Sequence, residues 1–419
     1  MSSDPVSVVV VGGGAAGFFG AIACASQHPH SRVTLLEAAR QPLAKVKVSG
    51  GGRCNVTHAC FDPALLVQHY PRGGKALRSP FSRFQSRDTV DWFESHGVAL
   101  KTEADGRMFP ITDDSETIVT CLMQTAKAMG VKLWQGAAVK DVSRQEHGFA
   151  VTVKAGETLT CDRLLLATGS SPQGYAIARA LGHAIEPPVP SLFTFNIADP
   201  RLQDLAGVSV PMAHLRLQTG EKSALEQTGP LLITHWGLSG PAVLKLSAWG
   251  ARALHDRHYQ ATLLVNWLPQ SNPESLRQQL LAVKSQLPKR AIVTSCPVLI
   301  PRRLWERLTS YVGIAAETRW ADLSNKMLNL LIQELTRGQY TINGKGAFKE
   351  EFVTCGGVRL KEVDFKTMES RCCPGLHFAG EILDIDGVTG GFNFQSAWTT
   401  GWIAGQAMGA LDPQIKHLH

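Results

Sequence analysis

The sequence predicts an α/β protein: a Rossmann-like dinucleotide-binding domain on a parallel sheet, interrupted by a β-barrel insert with a small helical subdomain. Three observations predict it. A β-branched run, Val6 to Val11, leads straight into Gly12-Gly-Gly-Ala-Ala-Gly17. A second apolar run, Asp162-Arg-Leu-Leu-Leu-Ala-Thr-Gly169, again ends on small residues. Between 191 and 345 the texture changes to short alternating strands followed by helical patterns, after which a glycine-rich tail resumes the texture of the head.

At 419 residues, 44% hydrophobic and 18% charged, the chain suits a globular protein of two or three domains. No apolar stretch reaches the ~18–20 residues of a membrane helix without polar or glycine breaks. Met-Ser-Ser-Asp-Pro carries no positive charge, so the valine run reads as a first strand, not a leader. A cytoplasmic location with no membrane partner is expected. The nine cysteines are scattered without C-x-x-C spacing, which argues against a metal site or a disulfide framework.

The head is the most informative stretch. Val6 to Val11 is apolar on both faces, as a buried parallel strand must be. Gly12, Gly14 and Gly17 form G-x-G-x-x-G: a tight turn, a close backbone approach to a pyrophosphate, and close helix–strand packing. A helix predicted over Ala15 to Gln27 offers first-turn N–H groups, including that of Ala16, to the phosphates. Glu37 ends the next strand, Arg32 to Leu36, where an acid accepts hydrogen bonds from a ribose and repels a 2′-phosphate.

Next comes Lys45-Val-Lys-Val-Ser-Gly-Gly-Gly-Arg-Cys-Asn55. Consecutive glycines here (Gly51 and Gly52 among them) suit a backbone passing close to a ligand. Lys47 and Arg53 are expected to reach phosphate or a flavin carbonyl, with Ser49 and Asn55 as further polar contacts. Cys54 is a candidate proton donor or nucleophile if its pKa is lowered. Residues 71–87 interleave cations with Phe81 and Phe84, which reads as an exposed loop that a nucleic acid can use. A helix follows over 88–96, a turn at Arg107 to Pro110, a helix over 115–128 and strands at 131–133, 138–143 and 150–153. Thr168 and Gly169 bring backbone near the dinucleotide again. Pro187-Pro-Val-Pro190 marks a domain boundary.

The insert is predicted to hold strands near 192–197, 208–210, 214–217, 231–233 and 260–267, and helices over 273–287, 301–312 and 323–335. It carries the whole net charge of +7, with 17 Lys+Arg against 10 Asp+Glu. Arg277, Lys284, Lys289, Arg290, Arg302, Arg303 and Arg307 face only Glu306 in the local sequence, a balance that attracts a polyanion such as RNA. In Thr234-His-Trp-Gly-Leu-Ser-Gly-Pro241, His235 is a candidate acid/base. In the tail, Glu381 stands where an acid binds the ribityl chain of FAD. Gly391 lets N–H groups approach the flavin edge, and a helix beginning near Asn393 stabilises negative charge on reduced flavin. Gly380, Asp386 and Phe392 complete this predicted contribution.

Three stretches resemble one family, the BaiN/RdsA/aminoacetone-oxidase-like flavoproteins: Ser49-Gly-Gly-Gly-Arg-Cys-Asn55, Thr234-His-Trp-Gly-Leu-Ser-Gly-Pro241, and Phe378 to Gln395. Phe392 stands where a Tyr is often found. The resemblance runs essentially the full chain. It implies an FAD-binding domain in two parts, 1–190 and 346–419, around an insert at 191–345 whose helical part spans about 273–336. It also implies FAD chemistry on one of several substrates: amines, steroid-type double bonds, or uridine in ribosomal RNA. No second nucleotide motif is present, since Asn343-Gly-Lys-Gly-Ala-Phe348 lacks the third glycine and the strand context, so NAD(P)H is expected to dock transiently at the flavin. Two classes follow: an oxidoreductase passing a hydride between flavin and a small-molecule or RNA substrate, with amine oxidation by dioxygen as its variant, or an RNA-binding module with structural FAD.

Overall fold

The structure is a computed structural model that describes residues 5–219, 224–346 and 353–410. The chain divides into two compact units, Met1–Pro188 with Val353–His419, and Val189–Phe352. No helix among the described residues is long and apolar enough to cross a membrane.

The first unit is built on one sheet. Its strand order is Val363–Asp364, Glu369–Ser370, Leu376–Phe378, Arg163–Leu166, Ser7–Val11, Arg32–Glu37, Lys132–Gln135. The last five run parallel, and the first two form an antiparallel edge. Val8 to Val11 and Leu164 to Leu166 are buried, with the helices Ala15–Gln27 and Phe392–Met408 and the strand Thr158–Cys161 packing against this part of the sheet. The register aligns Val11 with Leu36 and Leu166, and Leu166 with Phe378. Gly12, Glu37, Thr168 and Gly380 therefore emerge at one edge of the sheet, the carboxyl ends where ligands of open α/β sheets bind.

The head helix, Ala15–Gln27, packs along the tail helix, Phe392–Met408. Their seam is made of small residues. A side chain on Gly401 would meet the Ala16 carbonyl at 2.6 Å, and one on Gly405 the Gly20 carbonyl at 2.4 Å. The same closeness holds the head helix on its own strand, since a Cβ on Gly17 would lie 1.9 Å from the Gly12 carbonyl oxygen.

Several sequence expectations change here. Residues 71–87 are not a loop: helices run over Gly74–Phe81 and Ser86–Ser95. Phe81 and Phe84 are buried core residues, so neither can stack on a nucleic acid. Arg107–Pro110 is a strand paired with Leu100–Thr102 and Thr57–His58. The prolines at 187, 188 and 190 do not end regular structure; the strand Ile185–Ser191 runs through them. An added Thr158–Cys161 strand extends the hairpin of Val139–Arg144 and Phe149–Val153.

The second unit is an antiparallel sheet in the order Gly338–Ile342, Ala261–Asn266, Ser209–Gln218, Leu225–Thr234, Gly237–Ser239, Phe195–Asn196, Gly344–Lys345. Segment 338–345 pairs with Ala261–Asn266 at its start and with Phe195–Asn196 at its end, so the sheet closes on itself. A strand thus does precede Asn343, contrary to expectation, and it serves closure; Ala347 and Phe348 lie outside the described residues. Helices Pro273–Gln286, Arg302–Tyr311 and Asn325–Arg337 share one core with the sheet's inner face, including Leu215, Leu263, Trp305, Trp320 and Tyr340. The basic residues also have more partners than Glu306. Arg307 pairs with Asp204 at 3.3 Å, Arg303 donates to the Asp204 carbonyl, and Lys284 donates to the Leu323 carbonyl at 2.6 Å.

Two outcomes are expected. Gly401→Val forces the head and tail helices apart and lowers stability by about 2 kcal/mol, the order of a core overpacking, read as a fall in thermal midpoint. His377, wholly buried in the strand Leu376–Phe378, has its pKa driven down to about 3 by burial. The unfolded chain takes up this proton below about pH 6.5, while the folded chain resists it until about pH 3. Stability therefore falls as pH drops through that window, and denaturant titrations should show a shallower fall for His377→Leu than for wild type.

Candidate cofactor and active site

The first unit brings Gly12, Glu37, Thr168 and Gly380 to the carboxyl ends of neighbouring strands. Gly14 starts the head helix without any side-chain cap, leaving its first N–H groups to an outside acceptor. A Cβ built on Gly14 meets nothing within 4 Å, so the backbone there borders open space. Glu37 accepts from the Gly13 N–H at 2.7 Å and the Ala39 N–H at 2.7 Å, which fixes the carboxylate beside the glycine turn. The backbone of Thr168 lies against Gly12, and the Thr168 hydroxyl is buried with no hydrogen-bond partner among the described residues. Glu381 accepts from the Lys45 ammonium at 2.6 Å and the Thr354 N–H at 3.0 Å. Gly169 and Gly380 border this group: a Cβ on Gly169 would sit 3.6 Å from Glu381, and one on Gly380 would sit 2.8 Å from the Ala16 methyl.

The glycine triplet follows a helix that ends at a kink after Val48. Ser49 turns extended, and Gly50, Gly51 and Gly52 all take positive φ, which only glycine adopts without strain. A Cβ on Gly51 or Gly52 would meet nothing within 4 Å. Asn55 then reaches the tail: with its amide oriented to satisfy both neighbours, its oxygen accepts from the Gly391 N–H at 3.0 Å and its nitrogen donates to the Thr57 carbonyl at 3.1 Å.

Other side chains are engaged differently from expectation. Lys47 faces Glu116 at 3.1 Å. Arg53 pairs with Glu103 at 2.7 Å and lies over the Phe109 ring. Asp386 is fully buried and paired with Arg72, so its carboxylate anchors a loop and does not face a ligand. Asn393 spans the turn before its helix, accepting from the Gly387 N–H at 2.8 Å and donating to the Gly387 carbonyl at 2.9 Å. Cys54 is fully buried, and burial pushes its thiol up to about 12, against a smaller lowering by its hydrogen bond with Ser49. Desolvation thus works against a lowered pKa at this thiol. His235 belongs to the second unit, on the exposed turn between Leu225–Thr234 and Gly237–Ser239. The two candidate catalytic residues thus sit in different units.

Residues that sequence reasoning missed cluster around Phe392. His58 and His69 stack on its ring at centroid distances of 4.7 and 4.2 Å, and the Tyr70 hydroxyl donates to its carbonyl at 2.6 Å. Gln395 accepts from Thr57 at 2.6 Å and Thr89 at 2.9 Å, and Trp398 donates to the Val56 carbonyl at 2.9 Å. These partners stand more than three hundred residues apart in sequence, and no local pattern announces them.

The family described as the HI0933-like protein Rossmann domain matches residues 6–407, and the chain belongs to it. It is 33% identical over 414 residues to a ribosomal RNA dihydrouridine synthase of Escherichia coli (strain K12), covering 95% of this chain and 96% of that one. It is 29% identical over 406 residues to a 3-dehydro-bile acid delta(4,6)-reductase of Clostridium scindens, covering 95% and 98%. Among solved structures, a 3-ketosteroid-delta4-(5alpha)-dehydrogenase from Rhodococcus jostii RHA1 shares the fold, with a TM-score of 0.51, 15% identity and 98% of each chain covered. In class the chain is an FAD-dependent oxidoreductase.

The burial of Cys54 has a direct consequence for labelling. Treatment of the folded protein with iodoacetamide near pH 8 should modify exposed Cys372 and leave Cys54 unmodified until denaturant is added, as read by peptide mass spectrometry.

Proposed function

We propose that the protein is an FAD-dependent reductase that saturates the C5–C6 double bond of a uracil ring in ribosomal RNA, with NAD(P)H as transient reductant. The observation that carries this reading is the open backbone cradle at Gly14, set beside Glu37, Thr168 and Glu381 in a chain related throughout its length to a ribosomal RNA dihydrouridine synthase. When bound, FAD supplies the electron pair as a hydride.

The chain's own residues do the rest. The uncapped first turn of the head helix would hold the pyrophosphate, and Glu37 a ribose. The Lys45–Glu381 pair and the buried Thr168 hydroxyl fit the polar groups of the cofactor's linker. The N-terminus of the tail helix, lacking an acidic side chain in its first turn, favours negative charge on the reduced ring. Reduction also needs a proton at the carbon next to the one that takes the hydride. Cys54 is too buried to deliver it, whereas the His235 ring is exposed and makes no hydrogen bond among the described residues. His235 is the proposed donor. The +7 balance of residues 191–345 supports a polyanionic substrate.

The test is mass spectrometry of ribosomal RNA nucleosides from a strain lacking the gene, with the gene restored as wild type or His235→Gln. Dihydrouridine should disappear on deletion and return with wild type. The His235→Gln protein should stay yellow and restore at most about one hundredth of the rate, the scale of a lost general acid. Unchanged dihydrouridine in the deletion strain would overturn the substrate assignment.

A further inference from the structure

We propose that the second unit binds a nucleobase of the RNA substrate in a cavity of about 610 Å³ whose stacking platform is Tyr311; this rests on the reading of the substrate as RNA. The cavity is bordered by the end of the helix Arg302–Tyr311, the helix Asn325–Arg337, and the strands Ser209–Gln218 and Gly338–Ile342.

Its floor is rigid. Arg201 is buried, held by Asp199 at 2.6 Å and by both oxygens of Glu334 at 2.9 and 3.0 Å. Its guanidinium lies over the Tyr340 ring at 3.8 Å and the Tyr311 ring at 4.5 Å. Tyr311 is thereby fixed against a planar cation while half of its surface stays exposed at the cavity. An aromatic ring oriented in advance gives up little side-chain freedom when a second planar group stacks on it.

The rim has the chemistry of a base reader. Gln218, Gln333 and Gln339 are exposed there, and their side-chain amides make no hydrogen bond among the described residues. Each offers a donor and an acceptor without a charge, the pairing that base edges present. Arg337, one helical turn from Gln333, is exposed and has no ion pair among the described residues. It is placed to take a phosphate or a base carbonyl. A hydrophobic ligand such as a sterol would leave these amides and this cation stranded against apolar surface.

The experiment is fluorescence anisotropy of a labelled, pyrimidine-rich single-stranded RNA with the full FAD-loaded chain, at several salt concentrations. Tyr311→Ala should weaken binding about ten-fold, and Tyr311→Phe should stay within about two-fold because the ring persists. Arg337→Gln should reduce the slope of log K against log salt by about one. Tyr311→Phe and Arg337→Gln keep the test open should Tyr311→Ala fold poorly. Wild-type binding to RNA with no change in Tyr311→Ala or Arg337→Gln overturns this cavity while leaving the RNA reading intact. Absence of any RNA binding by wild type overturns both.

Discussion

The contact on which the first unit depends is the seam between the head and tail helices. Two helices can approach this closely only where side chains are missing from both, and here Ala16 and Gly20 face Gly401 and Gly405. The seam places the N-termini of both helices at the same end of the sheet. It also holds the Gly12–Gly17 turn and the Gly390–Gly391 turn in one unit, although nearly four hundred residues separate them. Peptide N–H groups left unpaired at helix N-termini favour an anion, and the seam brings two such ends to the same end of the sheet.

Around the seam, burial dictates which polar groups are free. The interior tolerates Gln395, Thr57, Thr89 and Thr399 because they satisfy one another. It tolerates Asp386 because Arg72 neutralises it. The same requirement engages Asp386 with Arg72 and buries the Cys54 thiol, and leaves Thr168 as a buried hydroxyl without a partner among the described residues.

The second unit answers a different constraint. Its short strands cannot end in open edges without inviting other chains to pair, and segment 338–345 removes both edges by closing the sheet. The helices complete the same core, which is why Trp305 and Trp320 are buried and keep their indole N–H groups bonded to the Ile292 carbonyl and the Ser295 hydroxyl. Its surface carries exposed charges and amides together with exposed apolar side chains such as Trp236 and Leu299.

The sequence by itself determined the parallel-sheet dinucleotide fold. Val6 to Val11, the spacing of Gly12, Gly14 and Gly17, and Glu37 are local signals whose physics acts within forty residues. It also marked the Gly50–Gly52 segment, because consecutive glycines have few other uses. What it could not show was which side chains face one another. Arg53 beside Glu103, Asp386 beside Arg72, Phe392 beside His58 and His69, and the closure of the barrel by 338–345 all join residues remote in the chain. Whether Cys54 is a reactive thiolate or an inert thiol depends on the dielectric around it, and that is set by packing from every side. Local conformational preference is written in sequence; burial and partnership exist only once the chain has folded.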